Sequence, residues 1–213
     1  MYTRLFFAFI CLYLSSCSSG QKTIGNKEEN TKISILFLGN SLTYTNDLPV
    51  LVQKSAKERG IRISTKMVAF PNYAIADHWS ENKVQNLIAS GKYDYVILQQ
   101  GPSSQKEGRE MLIEYGKKYS ALCARYDTKL AYFMVWPSRN YYRTFDGVIQ
   151  NYSDAARINK ALLLPVGKVW KQYFDKNQTY DYYGFDQFHP SLLGSTIAAE
   201  VIVDHLFPQS KTN

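Results

Sequence analysis

Apolar residues along this chain fall into two patterns that alternate: short, nearly continuous runs, and longer stretches with helical spacing. Residues 33–39 (ISILFLG), 93–100 (YDYVILQQ) and 129–136 (KLAYFMVW) are runs of the first kind. Such runs, lacking strict in-and-out alternation, suit parallel strands covered on both faces. Residues 61–70 read as a weaker strand and 161–165 as a short one. Helical spacing predicts helices over residues 48–59, after a cap-like Asp47, and over 76–90, 106–126, 145–160, 166–174 and 192–207. The order βαβαβαβαβα predicts an α/β three-layer αβα sandwich with a mainly parallel five-stranded sheet. Right-handed crossovers then place the functional loops at the carboxyl ends of the strands.

Residues 1–16 fit neither pattern. Arg4 supplies a positive start, residues 5–14 an apolar stretch, and Leu14-Ser15-Ser16-Cys17 the small residues that precede a cleavage site. The stretch is too short to remain as a membrane-spanning helix. Leu-Ser-Ser-Cys resembles the bacterial lipobox, which implies that Cys17 is lipidated and anchors an exported protein at the outer membrane or in the periplasm. Plain cleavage of a secretory signal is the alternative. Residues 17–31 hold almost nothing apolar and read as a tether. That leaves residues 32–208 as one domain and 209–213 as a tail, enough chain for a single core.

Three cysteines do not make a disulfide framework here. Cys11 leaves with the signal and Cys17 takes the lipid, so Cys123 stands alone as a buried thiol on a predicted helix. The net charge of +7 could point to nucleic acid, but the Lys and Arg residues are spread singly and no nucleic-acid module is present. No nucleic-acid partner is expected. Many of the 17 tyrosines lie in predicted loops, as in Tyr141-Tyr142 and Tyr180 to Tyr183. Rings on loops either form platforms for sugars or cover the core.

The first strand runs into Gly39-Asn40-Ser41-Leu42-Thr43. Ser41 therefore sits just past the carboxyl end of a buried strand, where loop N–H groups are free to face an anion. A nucleophile would stand there, although serines are common in ordinary turns. Near the other end lies Asp186-Gln187-Phe188-His189-Pro190, ahead of the last helix. A serine hydroxyl needs a base to take its proton, and the base works best when a carboxylate fixes its tautomer. Asp186 and His189, three apart on one loop, can face one site, while Pro190 stiffens the loop and helps start the helix. Alone, Asp-x-x-His could also be half of a metal site or a helix cap, but no His, Cys and Asp cluster with ligand spacing accompanies it, and no metal is expected. His78 follows Asp77 directly, and adjacent residues on a helix do not face each other, so it reads as a helix-start or pocket-wall residue. His205, near the end of the final helix, suits the dipole there.

Together these blocks resemble those of the SGNH (GDSL-like) hydrolases, in the family's order, from about Ile33 to Phe207. The resemblance implies a flavodoxin-like sandwich, Ser41 as nucleophile, Asp186 and His189 as its partners, and an oxyanion hole formed by the serine N–H, a second-block N–H and a third-block side chain. It implies no cofactor. The sequence departs from the family where the second block usually has glycine: here stands Phe70-Pro71-Asn72-Tyr73, of which Asn72 is the expected donor, since Pro71 has no N–H. It departs again where the third block usually reads Gly-x-Asn-Asp: here Gln99-Gln100-Gly101-Pro102-Ser103-Ser104 stands, with Gln100 the expected donor and Gln99 and Ser103 the alternatives. The expected activity is ester hydrolysis, most simply removal of O-acetyl groups from carbohydrate. The expected partners are an acylated carbohydrate or other small ester and, through the anchor, a membrane. A lipid esterase or lysophospholipase is one alternative, and a catalytically silent glycan-binding lipoprotein is another.

Overall fold

A computed structural model describes Met1 and residues 32–208. The expected signal, tether and anchor at residues 2–31, Cys17 included, lie outside the described residues. Five strands, β1 (Ile33–Gly39), β2 (Ile63–Ala69), β3 (Tyr95–Leu98), β4 (Lys129–Phe133) and β5 (Leu162–Leu164), form one all-parallel sheet in the order β2-β1-β3-β4-β5. Helices α2 (Leu48–Glu58) and α8 (Leu192–Leu206) pack together on one side. The other helices of the series are α3 (Ile75–Ser80), α4 (Lys83–Ala89), α5 (Lys106–Arg125), α6 (Phe145–Ile158) and α7 (Val166–Asn177). Of these, α3, α4 and α6 pack on α5, and α7 bridges α6 to α8. The three-layer α/β sandwich is thus the observed architecture.

The cause of the alternation is visible strand by strand. Ile35, Leu36, Phe37 and Leu38 are all fully buried, as are Val96, Ile97 and Leu98. Central parallel strands covered on both faces need apolar residues at every position. β2 is an edge strand, and its Lys66 and Met67 are exposed, which is why its run looked weaker in sequence. The predicted strands at 93–100 and 129–136 overshoot the sheet: residues 99–100 and 134–136 are just as buried but belong to loops leaving its carboxyl edge. Burial alone does not distinguish those residues from strand.

Three local expectations need correcting. The single helix expected over 76–90 is two, α3 and α4, because Asn82 takes a left-handed conformation (φ 57°) between them. Asparagine tolerates that region, and Gln85 Nε2 donates to Trp79 O (2.6 Å) and Asn82 Oδ1 (3.3 Å) across the break. Asp47 does not cap α2 with its side chain; it and Asn46 are both left-handed, and a short helix α1 (Ser41–Tyr44) precedes them. Pro190 does not begin α8 either. Ser191 caps that helix, accepting from Gly194 N at 3.0 Å, while Pro190 pairs with Tyr183 in an isolated bridge.

Cys123 is buried in α5 as expected, and burial pushes its thiol pKa up to about 12. Among the described residues, no helix is long and apolar enough to cross a membrane.

Candidate active site

β1 lies between β2 and β3, so the connections leaving β1 and β3 diverge to opposite sides of the sheet. That divergence opens a crevice at the carboxyl ends of the two strands. Ser41 stands in it. Asn40 is extended and its Oδ1 accepts from Leu42 N at 3.1 Å, capping α1. Ser41 is the first residue of that helix, a position whose N–H has no acceptor within the helix.

The turn is held from beneath by Gln99, only 1% exposed. Its Oε1 accepts from Asn40 N (2.9 Å) and from the Thr43 hydroxyl (2.7 Å), and its Nε2 donates to Gln100 O (2.7 Å). Gly39 is required by the same contact: a Cβ there would collide with Thr43 Oγ1 and Gln99 Oε1. Sequence reasoning placed Gln99 among the alternative anion donors and missed this role. The signal was present in its position, the first residue past a fully apolar strand, where a polar side chain has only buried partners to find.

Ser41, His189 and Asp186 form a continuous hydrogen-bonded row. The Ser41 hydroxyl donates to His189 Nε2 at 2.8 Å, and His189 Nδ1–H donates to Asp186 Oδ2 at 2.5 Å. Asp186 Oδ1 accepts from Phe188 N (3.0 Å) and His189 N (2.9 Å), so the carboxylate fixes the backbone of the loop as well as the ring. Partial burial raises the Asp186 pKa, but the His189 bond and the two backbone N–H groups outweigh it and hold the carboxyl below its ordinary value. The loop itself is clamped to the β4 loop: Trp136 Nε1–H donates to Phe188 O (3.0 Å), Arg139 N to Gln187 O (2.9 Å) and the Tyr183 hydroxyl to Pro137 O (2.8 Å). Asn46 Nδ2 donates to Pro190 O at 3.0 Å, tying the same loop to the segment that follows Ser41.

Asn72 is exposed and left-handed (φ 62°), and neither its N–H nor its amide has a hydrogen-bond partner among the described residues. Its loop is fastened to the Ser41 turn, since Asn40 Nδ2 donates to Tyr73 O (3.0 Å) and Phe70 N to Gly39 O (3.2 Å). Gln100 departs from expectation. Its amide N–H groups donate to Ser103 Oγ (2.8 Å) and Gly108 O (3.3 Å), and the residue is 3% exposed. Ser103 in turn donates to Gly101 O at 3.0 Å. The Gln100 and Ser103 side chains therefore brace their own loop, and of the three expected donors those left without partners among the described residues are the N–H groups of Ser41 and Asn72. The cause is the depth of the turn after β3, which buries both glutamines.

His78 is 1% exposed, its Nε2–H donating to Gly39 O at 2.8 Å and its Nδ1 buried without a partner. Its ring lies among Phe70 and Tyr73, so it is a wall of the Ser41 turn. Burial lowers its pKa below 6.5, against the raising effects of the Gly39 bond, Glu81 and Asp77 and with a small lowering from Lys83. The unfolded ring protonates near its ordinary value while the folded ring resists, so stability is full above that value and falls as pH drops through it. In melts from about pH 8 to about pH 5, His78→Gln should show a flatter loss of stability than the parent chain, and equal slopes would sink this reading. His205, itself exposed near the end of α8, bonds Val201 O at 2.8 Å and takes no part in the site. Among the described residues, no group of three or more His, Cys, Asp or Glu could hold a metal ion.

The tyrosine blocks divide. Tyr182 and Tyr183 are buried against Trp170 and Phe174, and Tyr142 turns inward to Asp175 (2.5 Å). Tyr141 is 60% exposed and borders a cavity of about 650 Å³. The cavity lies between the loops after β3 and β4, and Asp186 and Phe188 of the loop before α8 form its remaining wall.

No family model and no curated protein sequence matches the chain. Solved structures do. A protein from Slackia heliotrinireducens, proposed as an SGNH hydrolase, superposes with a TM-score of 0.72 at 20% identity, covering 83% of this chain and 100% of that one. A DUF4886 family protein from Bacteroides uniformis gives 0.69 at 16% identity, covering 83% of each chain. A catalytic mutant of an acetylxylan esterase from Geobacillus stearothermophilus gives 0.63 at 14% identity, covering 84% of this chain and 96% of that one. The α/β sandwich described above is the fold that this chain shares with these solved structures, SGNH-type hydrolases among them.

Proposed function

We propose that the chain is an exported serine esterase that removes acyl groups, most simply O-acetyl groups, from carbohydrate. The observation that carries the reading is the Ser41–His189–Asp186 row: a carboxylate can only accept, so Nδ1 beside Asp186 carries the proton and Nε2 is left to accept from Ser41. In the proposed reaction Ser41 Oγ attacks the ester carbonyl carbon while His189 Nε2 takes the hydroxyl proton. Asp186 keeps the imidazole in the tautomer whose Nε2 is free to accept, and steadies the cation that forms. The carbonyl oxygen becomes an oxyanion held by the N–H groups of Ser41 and Asn72. His189 then gives its proton to the departing alkoxide, leaving Ser41 acylated. A water molecule, deprotonated by His189, attacks that ester; the bond to Ser41 Oγ then breaks as His189 returns the proton to it, releasing the acid and restoring the free serine. No cofactor enters the scheme.

Likeness in fold to an acetylxylan esterase accords with acetyl removal from a polysaccharide. The cavity beside Asp186 provides room for a substrate larger than a simple alkyl ester. The silent-binder alternative draws on Gln100, whose amide is engaged where the family's third donor would stand. A chromogenic acetate ester separates the two readings. The esterase turns it over well above a Ser41→Ala control, and turnover equal to that control would leave only the binder.

Export rests on the leader and on the lipobox-like Leu14 to Cys17. If Cys17 is the anchor, Cys17→Ser in a bacterial host should leave the chain unprocessed or free it from membranes. Fractionation that finds the unaltered chain soluble would refute the anchor without touching the esterase reading.

A further inference from the structure

The cavity beside the triad contains a cation without a counter-charge. Arg143 lines it on the short helix Arg139–Thr144, and it has no ion-pair or hydrogen-bond partner among the described residues. Its neighbour in sequence and type, Arg139, is occupied: it lies 4.3 Å from the centre of the Tyr180 ring and donates to Gln187 Oε1 at 3.0 Å. Two adjacent tyrosines show the same contrast, since Tyr142 is packed against Phe145 and bonded to Asp175 while Tyr141 stands exposed at the cavity edge. Amide and hydroxyl side chains complete the wall: Asn140, without a partner among the described residues, and Thr144, whose hydroxyl donates to Tyr141 O (2.8 Å), on one side, and Ser104 and Gln105, joined to each other at 3.4 Å, on the other. The one carboxylate present, Asp186, has its oxygens turned to His189 and to the N–H groups of its own loop.

We infer that this cavity is a subsite for a carboxylate-bearing sugar ring, a uronic acid, with Arg143 taking the carboxylate and Tyr141 one face of the ring. The inference rests on the carbohydrate-esterase reading for its connection to catalysis. A guanidinium presents a planar fork that matches a carboxylate through two parallel hydrogen bonds. An exposed aromatic face suits the C–H face of a pyranose, and short amide and hydroxyl groups suit its hydroxyls. Position supports the assignment as well. His189 must protonate the departing alkoxide, so the alcohol part of the ester leaves on the imidazole side of Ser41, and the loop carrying His189 bounds the cavity. The subsite would thus favour acetylated acidic polysaccharide over acetylated neutral xylan.

Calorimetry on the purified chain tests binding apart from turnover, using unacetylated trigalacturonate and xylotriose as probes. Trigalacturonate should bind more tightly, and more weakly as salt rises; Arg143→Gln should weaken it by about tenfold, and Arg143→Lys by less. Equal binding of the two trisaccharides, or no loss in Arg143→Gln, overturns the subsite. In turnover, the ratio of kcat/KM for O-acetylated oligogalacturonide to that for acetylated xylo-oligosaccharide should fall about tenfold in Arg143→Gln. A chain that binds trigalacturonate through Arg143 but cleaves no ester refutes the esterase reading and leaves the subsite standing. Ester cleavage with no Arg143-dependent preference refutes the subsite alone.

Discussion

Ser41→Ala and His189→Ala are each expected to lower kcat for an acetate ester by a factor on the order of 10⁴ to 10⁶, and the double variant is expected to be hardly slower than either single one. The reason is the geometry of the row. The Ser41 hydroxyl donates to His189 Nε2, so without the base the serine keeps its proton, and without the serine the base has no nucleophile to activate. Either loss removes the same step. A 10⁴-fold loss corresponds to about 5.5 kcal/mol of transition-state stabilisation, far more than the net value of one hydrogen bond in folding. Both side chains are partly exposed, so the variants should melt near the parent temperature. Losses that multiply in the double variant would mean that the two residues act independently, and the proposed mechanism would have to be abandoned.

How far the chain could be read before folding depends on whether the information was local. β1 was legible to its last residue because Gly39 ends a run that is apolar throughout from Ile35 to Leu38, where the strand is buried on both faces. The α3–α4 break was not, since nothing local decides that Asn82 turns left-handed until Gln85 and Trp79 pack around it. That Ser41, Asp186 and His189 would face one site was legible because each stands beside the end of an element, Ser41 just past an apolar strand and Asp186 and His189 three apart ahead of the last helix. The glutamines were not. Gln99 and Gln100 are consecutive and chemically identical, and only the depth of the turn decides that one faces Asn40 and Thr43 while its neighbour faces Ser103 and the start of α5. The tyrosine loops pose the same difficulty, since Tyr141 and Tyr142 differ only in which way the short helix Arg139–Thr144 turns them.

Gln99→Leu is the expected result that separates support of the nucleophile from contact with the substrate. Leucine fits the volume but provides neither acceptor nor donor, so Asn40 N–H and the Thr43 hydroxyl would lose their buried partner, while Gln100 O would keep the Tyr152 hydroxyl (2.7 Å). Each orphaned group costs about 1–3 kcal/mol, so a loss of at least about 2 kcal/mol in unfolding stability is expected. The Asn40 peptide carries Ser41, and a displacement of about 1 Å at the nucleophile is enough for roughly 10²-fold in kcat. KM for a small acetate ester should change little, because Gln99 is shut away from the crevice. Thr43→Val removes one of the three bonds and should show a smaller loss of both quantities, which keeps the idea testable if Gln99→Leu does not fold. Should Gln99→Leu fold and turn over the ester at the parent rate, the turn is held by Asn40 and Gly39 alone. If instead its KM rises with kcat unchanged, Gln99 reaches the substrate after all, and the assignment of this block to bracing the nucleophile is wrong.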